Sequence, residues 1–432
     1  MYWKGLSRNS KLVELLFVSL PIALLLLLIN PIITYDGWQY ISSGLSIFDG
    51  TMASNYFFLR QPLYPFFVGL CLWLYESLWV VVIAQLLLHV ISLKYFLNTI
   101  FRIKTLNSIR EKIWTQRVSY FLIWLFLGSY PSYILPQNLF SPLILLFLAT
   151  DIKLRLLHTG LDVRAYRKLS HFRTLIVIFS YLLAIELLLI FVLYLAICNA
   201  IKRQRERDKP RELIQIFLVI VCLHLTLSYA EGQLTSNPVY NVENREDIFV
   251  RDSLLQNLFE RIKKDPPYTQ TVINAALANL DLVPTLGWDG ITTFRYSEPG
   301  HPAKVFALNH VQQTREECNF FPKEGVLAVD KTYINGRFSE CHKPVLQLPK
   351  PVKTLTYAIY LLLWPLIVLG YLLSIVAAGL GGYRVFPVLF VALYALIGAG
   401  ISRYGSPVYP LIIIYSVMYA VKKIQLRGSL TP

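Results

Sequence analysis

The chain has 432 residues, of which 55% are hydrophobic and only 16% are charged. A single soluble core is excluded, because several apolar runs exceed the roughly 20 residues that cross a bilayer. The net charge of +15 does not indicate a nucleic-acid partner, since Lys and Arg lie mainly in short stretches between apolar runs, where the positive-inside rule retains them.

About ten α-helical membrane spans are predicted, alternating in direction from an outward first span. In chain order they are 12–34, 76–101, 118–130, 138–157, two short helices within 174–200, then 213–229, 355–377, 385–401 and 411–421. The basic clusters between spans predict that both termini are cytoplasmic. One long span over 174–200 is the alternative. Two helices that turn near Glu186 are preferred, because the basic clusters at the two ends of one span would face opposite sides.

Two further apolar runs are interpreted separately. Residues 63–75 cover about half a bilayer at ~1.5 Å per residue, which predicts a helix that lies along or dips into the outer leaflet. Residues 12–34 have a longer apolar core than a signal peptide and no clear cleavage site. An uncleaved span is therefore favoured over a signal peptide.

The one long polar segment, residues 230–351, is predicted to be a small extracytoplasmic α+β domain that caps the membrane core. Apolar residues recur at helical spacing over 252–264, and 326–338 form a predicted hairpin turning at Asn335-Gly336. The domain organisation follows: an N-terminal membrane core with its first outer loop, the cap, and C-terminal spans, at 1–229 (loop 35–75), 230–351 and 352–432.

Cysteine placement agrees with an oxidising outer compartment. Cys318 and Cys341 both lie in the cap, which permits a disulfide without establishing it. The other three cysteines fall in apolar runs and are expected to pack as small hydrophobic residues. No Cys/His spacing resembles a zinc site and no nucleotide-binding loop is found, so no cofactor is predicted.

A candidate general base follows the first predicted span. Asp36, Tyr40 and Gly44 recur at four-residue spacing, so a helix over 37–48 places the carboxylate and the phenol on one face. The alternative is that Asp36 only caps that helix, since Asp is a preferred N-cap residue.

Two arginines are predicted on the same side of the membrane as Asp36. Arg60 begins the segment Arg60-Gln61-Pro62-Leu63-Tyr64-Pro65, and Arg403-Tyr404 precedes the last span. Two guanidinium groups can hold a lipid-linked phosphate by charge-assisted hydrogen bonds. The alternative is an interfacial belt of basic and aromatic residues that contacts lipid headgroups.

The order of these motifs resembles the GT-C superfamily of polytopic glycosyltransferases, which use polyprenyl-phosphate sugars, such as protein mannosyltransferases and lipid A aminoarabinose transferases. The resemblance implies that Asp36 is the catalytic base and that Arg60 and Arg403 contact the donor phosphate. It implies substrate-binding roles for Tyr40, Tyr64, Gln137, Asn138 and Tyr404. Gln137 and Asn138 stand where relatives often carry a second outer acidic residue, which leaves the divalent-metal requirement and the handling of the acceptor open.

The expected function is therefore inverting sugar transfer from a polyprenyl-phosphate donor to an acceptor hydroxyl on a lipid, polysaccharide or protein. The expected location is the extracytoplasmic face of a bacterial inner membrane. An O-antigen ligase or polymerase that acts on lipid-diphosphate glycans is one alternative, but it would not need Asp36. A flippase or transporter is another, but it would carry more ionisable groups within its spans than Glu186.

Overall fold

The structure is a computed structural model that describes residues 31, 35–48, 62–102, 109–127, 133–157, 163–201, 218–219, 221–222, 268–280, 282, 350–378, 383–396 and 405–428. Helices make up 93% of these residues, and no strand occurs among them. The described ranges contain eleven α-helices: α1 (Tyr35–Phe48), α2 (Leu63–Leu74), α3 (Leu78–Ile100), α4 (Ile109–Leu127), α5 (Gln137–Leu157), α6 (Val163–Leu183), α7 (Ile185–Ile201), α8 (Tyr268–Asn279), α9 (Lys350–Ala378), α10 (Phe386–Leu396) and α11 (Tyr409–Gly428).

Helices α1 and α2 pack closely because two glycines meet where they cross. A Cβ atom on Gly44 would lie 2.6 Å from the carbonyl oxygen of Pro65 and 2.7 Å from the amide nitrogen of Gly69. A Cβ atom on Gly69 would overlap the carbonyl oxygen of Gly44. Because the neighbouring atoms belong to the backbone, neither position accommodates a side chain without moving a helix.

Helices α3 and α5 lie side by side and run in the same direction. In the first half of α3, Gln85 donates a hydrogen bond to the carbonyl oxygen of Tyr133, four residues before α5 begins. Near the end of α3, the ring of Tyr95 lies 3.5 Å from the ammonium nitrogen of Lys153. The contacts advance along both helices together, so the helices are parallel, as expected for two spans predicted to run inward.

Helices α6 and α7 fold back on each other. Arg173 of α6 and Tyr194 of α7 both donate hydrogen bonds to the carboxylate of Asp151. One straight helix would separate residues 21 positions apart by about 31 Å, too far for both to reach one carboxylate. The chain therefore reverses, at the single non-helical residue Ala184. This confirms the predicted turn near Glu186.

Two of the C-terminal helices, α9 and α11, also run in the same direction. Trp364 contacts Tyr409 with ring centroids 4.7 Å apart, and Tyr371 stacks on Tyr415 at 6.3 Å, so α9 and α11 are parallel. Helix α10 lies between them in sequence. The turn that leads into α10 is held to α9 by Arg384, whose guanidinium donates to the Ser374 carbonyl and whose own carbonyl accepts from the Tyr371 hydroxyl.

Helix α8 belongs to the same helical assembly. The Tyr409 hydroxyl donates to the carbonyl oxygen of Asn279 at 2.7 Å, and the Trp364 indole donates to that of Leu280 at 2.7 Å. A Cβ atom on Gly405 would overlap the Asn279 backbone. This part of the predicted cap is therefore a helix that packs directly against α9 and α11.

Two helical segments are long and apolar enough to cross a membrane, namely α3 and Ser406–Ile424. Four shorter apolar helices lie at Leu63–Leu74, Ile185–Cys198, Leu361–Ala377 and Tyr383–Leu396. Helix α9 also exposes large aliphatic side chains, including Leu362, Leu366 and Val376. An exposed apolar helix surface of this kind suits contact with lipid. Together these features weakly indicate a membrane protein.

Several predicted spans coincide with helices, but some bounds differ: α6 begins eleven residues before the predicted start at 174, and α11 ends seven residues beyond the predicted end at 421. Helix α4 begins nine residues before the predicted span at 118–130, because Arg110, Lys112 and Arg117 are good helix formers and continue the helix into the basic cluster. Helix α8 was not predicted. The predicted span at 12–34, most of 213–229, the helix at 252–264 and the hairpin at 326–338 lie outside the described residues.

Candidate functional site

A buried chain of hydrogen bonds joins α2, α3 and the start of α5. The Tyr64 hydroxyl donates to Oε1 of Gln85 at 2.7 Å, and Nε2 of Gln85 donates to the Tyr133 carbonyl oxygen at 3.2 Å. The same carbonyl oxygen accepts a second, short hydrogen bond from Nδ2 of Asn138. The backbone amide of Leu135 also donates to this carbonyl oxygen, at 3.1 Å, and Gln85 is satisfied at both ends of its amide. We call this set the Gln85 network.

Helix α1 adds the aromatic ring of Tyr40 to the network. The rings of Tyr40 and Tyr64 meet edge to face with centroids 4.9 Å apart, a favourable aromatic geometry. The close approach of α1 and α2 at Gly44 and Gly69 makes this contact possible. Asp36 is the second residue of α1, one turn before Tyr40 on the same face of the helix. The backbone therefore brings the predicted base to the helix that carries Tyr40.

The first turns of α5 contain a second group of polar atoms. Gln137 and Ser141 are buried and four residues apart, so they share a helix face. Within the described ranges, neither Oε1 of Gln137 nor Oγ of Ser141 has a hydrogen-bond partner. Pro142 follows inside the helix and, having no N–H group, cannot donate the usual helical hydrogen bond to the Asn138 carbonyl.

The side chains of the Gln85 network, Tyr64, Gln85 and Asn138, are neutral at physiological pH. They can orient a hydroxyl-bearing ligand but cannot neutralise a phosphate or remove a proton from an alcohol. That chemistry would need the charged residues predicted nearby. The described part of the chain does not include Arg60, Arg403, Tyr404, Cys318 or Cys341. It includes the backbone of Asp36 but not its side chain.

The structure thus brings together Tyr40, Tyr64 and Asn138 of the predicted set, and Gln137 precedes Asn138 at the start of α5. Gln85 was missed by the sequence analysis. It stands in the middle of an apolar span, and a glutamine in that position is a recognisable signal, since polar side chains within spans require partners. Ser141 was also missed, because a serine near a helix start is too common to single out.

A separate charged cluster lies farther along α5. Asp151 is buried and pairs with Arg155 at 2.6 Å and with Arg173 at 3.0 Å, while the Tyr194 hydroxyl donates to it at 3.2 Å. Both arginines reach one buried carboxylate, which holds α5, α6 and α7 together. The four-residue spacing of Asp151 and Arg155 is the signal that could have revealed it.

No protein-family model matches the chain, and no curated protein or solved structure is detectably similar to it. Among the described residues, no group of three or more His, Cys, Asp or Glu side chains is placed to hold a metal ion. The assignment of function therefore depends on the residues of the site itself.

Proposed function

We propose that the protein is an inverting glycosyltransferase that moves a sugar from a polyprenyl-phosphate donor to an acceptor hydroxyl on the extracytoplasmic side of a membrane. The observation that supports this most directly is the Gln85 network, since it joins Tyr64 and Asn138, two residues that the motif order singled out from distant parts of the sequence. Tyr40 contacts the same network, and Asp36 lies one turn away on α1.

In the proposed reaction, Asp36 removes the proton from the acceptor hydroxyl as its oxygen attacks C1 of the donor sugar. The bond from C1 to the phosphate oxygen breaks, and the polyprenyl phosphate leaves with the bonding electrons. Arg60 and Arg403 stabilise the charge that develops on that phosphate. A single displacement inverts the anomeric centre.

Each neutral residue has a defined part in this scheme. Tyr40 and Tyr64 are buried against each other edge to face, so they fix α1, which carries the proposed base, against α2. Gln85 holds Tyr64 in position through its amide oxygen. Asn138 is held by the Tyr133 carbonyl at the first turn of α5. A site held in one arrangement by such contacts lowers the entropic cost of orienting two substrates.

Transfer from a panel of radiolabelled polyprenyl-phosphate sugars tests the proposal. Membranes that contain the wild-type protein are compared with membranes that contain Asp36→Ala at equal expression. We expect transfer from one donor of the panel, and its loss in the variant. Transfer that continues undiminished in Asp36→Ala would remove the catalytic base from the scheme. The absence of transfer from every donor would contradict the proposed donor class.

A further inference from the structure

The end of helix α8 is held by side chains from two of the C-terminal helices. The last carbonyl groups of an α-helix have no partner within the helix itself. At the end of α8, the carbonyl oxygen of Asn279 accepts a hydrogen bond from the Tyr409 hydroxyl at 2.7 Å, and that of Leu280 accepts one from the Trp364 indole at 2.7 Å. Both donor side chains are almost fully buried. The two hydrogen bonds therefore fix the end of α8 against α9 and α11.

Gly405 lets the chain that leads into α11 approach the same residue of α8. Its φ of −84° is ordinary for any residue, so the backbone conformation does not require glycine. A Cβ atom at this position would overlap the backbone of Asn279, so the close approach of the two backbones does require it. We call Asn279, Leu280, Trp364, Gly405 and Tyr409 the α8 anchor.

The α8 anchor joins parts of the chain that are far apart in the sequence. Helix α8 belongs to the polar segment 230–351, which the sequence predicts on the extracytoplasmic side, whereas Gly405 and Tyr409 stand at the start of the last helix. One residue separates Gly405 from Arg403, the proposed phosphate contact. Consecutive Cα atoms are about 3.8 Å apart, so the place of Gly405 limits where Arg403 can lie.

Resting on the proposed function, we infer that Tyr409 is a positioning residue for the donor phosphate. Its hydroxyl ties the chain beside Arg403 to α8, so that the extracytoplasmic segment sets where the guanidinium meets the phosphate. A guanidinium forms two parallel hydrogen bonds to a phosphate only in a narrow range of orientations. Small shifts of the backbone that carries Arg403 therefore weaken its contact with the donor.

Tyr409→Phe tests this role, since it removes the hydroxyl and keeps the ring, which packs on Trp364 with centroids 4.7 Å apart. We expect kcat/KM for the polyprenyl-phosphate donor to fall by about two- to ten-fold, the equivalent of one lost hydrogen bond. In an Arg403→Ala background the same change should have no further effect on kcat/KM, because Tyr409 acts through Arg403. A residue with a purely structural role would have the same effect in both backgrounds.

Tyr371→Phe is the matched control. The Tyr371 hydroxyl also donates to a backbone carbonyl of another segment, that of Arg384, at 2.8 Å, and its ring stacks on Tyr415. This variant should lose thermal stability much as Tyr409→Phe does, because each loses one such hydrogen bond. It should keep the wild-type kcat/KM for the donor, since the α8 anchor stays intact. Equal losses of kcat/KM in the two variants would overturn the inference.

A second readout does not need transfer activity. In a variant without the native cysteines, a membrane-impermeant maleimide labels Arg403→Cys from outside intact cells at a rate that reports how firmly position 403 is held. Adding Tyr409→Phe should raise this rate by about two- to ten-fold, again the equivalent of one hydrogen bond. Adding Tyr371→Phe should leave the rate unchanged.

The two readouts separate this inference from the proposed function. Faster labelling with Tyr409→Phe, without transfer from any polyprenyl-phosphate donor, would support the hold of the α8 anchor on position 403 and contradict the reaction. Transfer that depends on Asp36, with the same effect of Tyr409→Phe in the presence and absence of Arg403, would support the reaction and overturn the positioning role. An unchanged labelling rate in Tyr409→Phe would overturn that role as well.

Discussion

At the scale of single residues, Gln85 connects the parts of the candidate site. Its amide accepts from Tyr64 and donates to the Tyr133 carbonyl inside an otherwise apolar helix. Gln85→Leu preserves the approximate volume but removes one buried partner from each of these groups. We expect the free energy of unfolding to fall by about 1–3 kcal/mol, together with a loss of transfer activity. Denaturant unfolding of the purified protein measures the first effect.

A double-mutant cycle with Tyr64→Phe separates this hydrogen bond from general packing. If the Tyr64 hydroxyl and Gln85 stabilise each other, the double variant should be less destabilised than the sum of the two single variants. Strict additivity would mean that the hydrogen bond contributes nothing to stability. Gln116→Leu is a suitable control, because Gln116 is a buried glutamine on α4 whose Oε1 has no partner in the described ranges.

Asp151 yields a second prediction at this scale. Its carboxylate is buried between the guanidinium groups of Arg155 and Arg173. Asp151→Asn leaves two positive charges close together without their counter-charge, and we expect a loss of about 3–5 kcal/mol in the free energy of unfolding. Glu76→Gln, at an exposed carboxylate, should change the same measurement little. Equal losses in the two variants would contradict the role assigned to Asp151.

Sequence patterns singled out several residues that are neighbours in the structure, but not the contacts that join them. Tyr40, Tyr64 and Asn138 were chosen from motif order, and the structure brings them to one network. Gln85 was missed because its role depends on which helices become neighbours, and a sequence does not state that directly. The pairing of Asp151 with Arg173 was missed for the same reason, since 22 positions separate the two residues.

At the scale of helices, the glycine contact between α1 and α2 determines where Tyr40 lies. Gly69→Ala places a methyl group against the Gly44 backbone, which cannot rotate away. We expect the helices to separate, with a loss of about 1–3 kcal/mol in the free energy of unfolding and reduced transfer activity. Thermal and denaturant melts with an activity assay check both effects.

Gly370→Ala is the matched control for this prediction. The atom that its new methyl group meets first is the hydroxyl oxygen of Ser416, at the end of a side chain that can rotate. The control should therefore destabilise the protein less than Gly69→Ala does. If the two variants lose equal stability and equal activity, the close contact of α1 and α2 is not what positions Tyr40.

The sequence predicted some features of the helices and missed others. The reversal at Ala184 was anticipated because basic clusters at 164–173 and 202–211 cannot lie on opposite sides of a membrane under the positive-inside rule. The positions of the basic residues therefore indicated the direction in which each helix runs. Helix α8 was missed, although prolines stand at 266 and 267 just before it and proline is well suited to the start of a helix.

At the scale of the whole molecule, the alternating helix directions predict a membrane topology that can be tested. Glu76 and Arg102 are both exposed and lie at opposite ends of α3. In a variant without the native cysteines, Glu76→Cys should react with a membrane-impermeant maleimide from outside intact cells. Arg102→Cys should react only after the cells are permeabilised. Labelling of both positions from one side would show that α3 does not cross the membrane.

The central claim is that Asp36 acts as the base in a site built around the Gln85 network. The most direct measurement is the single-turnover rate of sugar transfer by wild type, Asp36→Asn and the control Glu76→Gln, using the donor that the panel identifies. Asp36→Asn keeps the shape of the side chain and removes its basicity, so the rate should fall by about 10²–10⁴-fold while Glu76→Gln stays at the wild-type rate. A wild-type rate in Asp36→Asn would contradict the account.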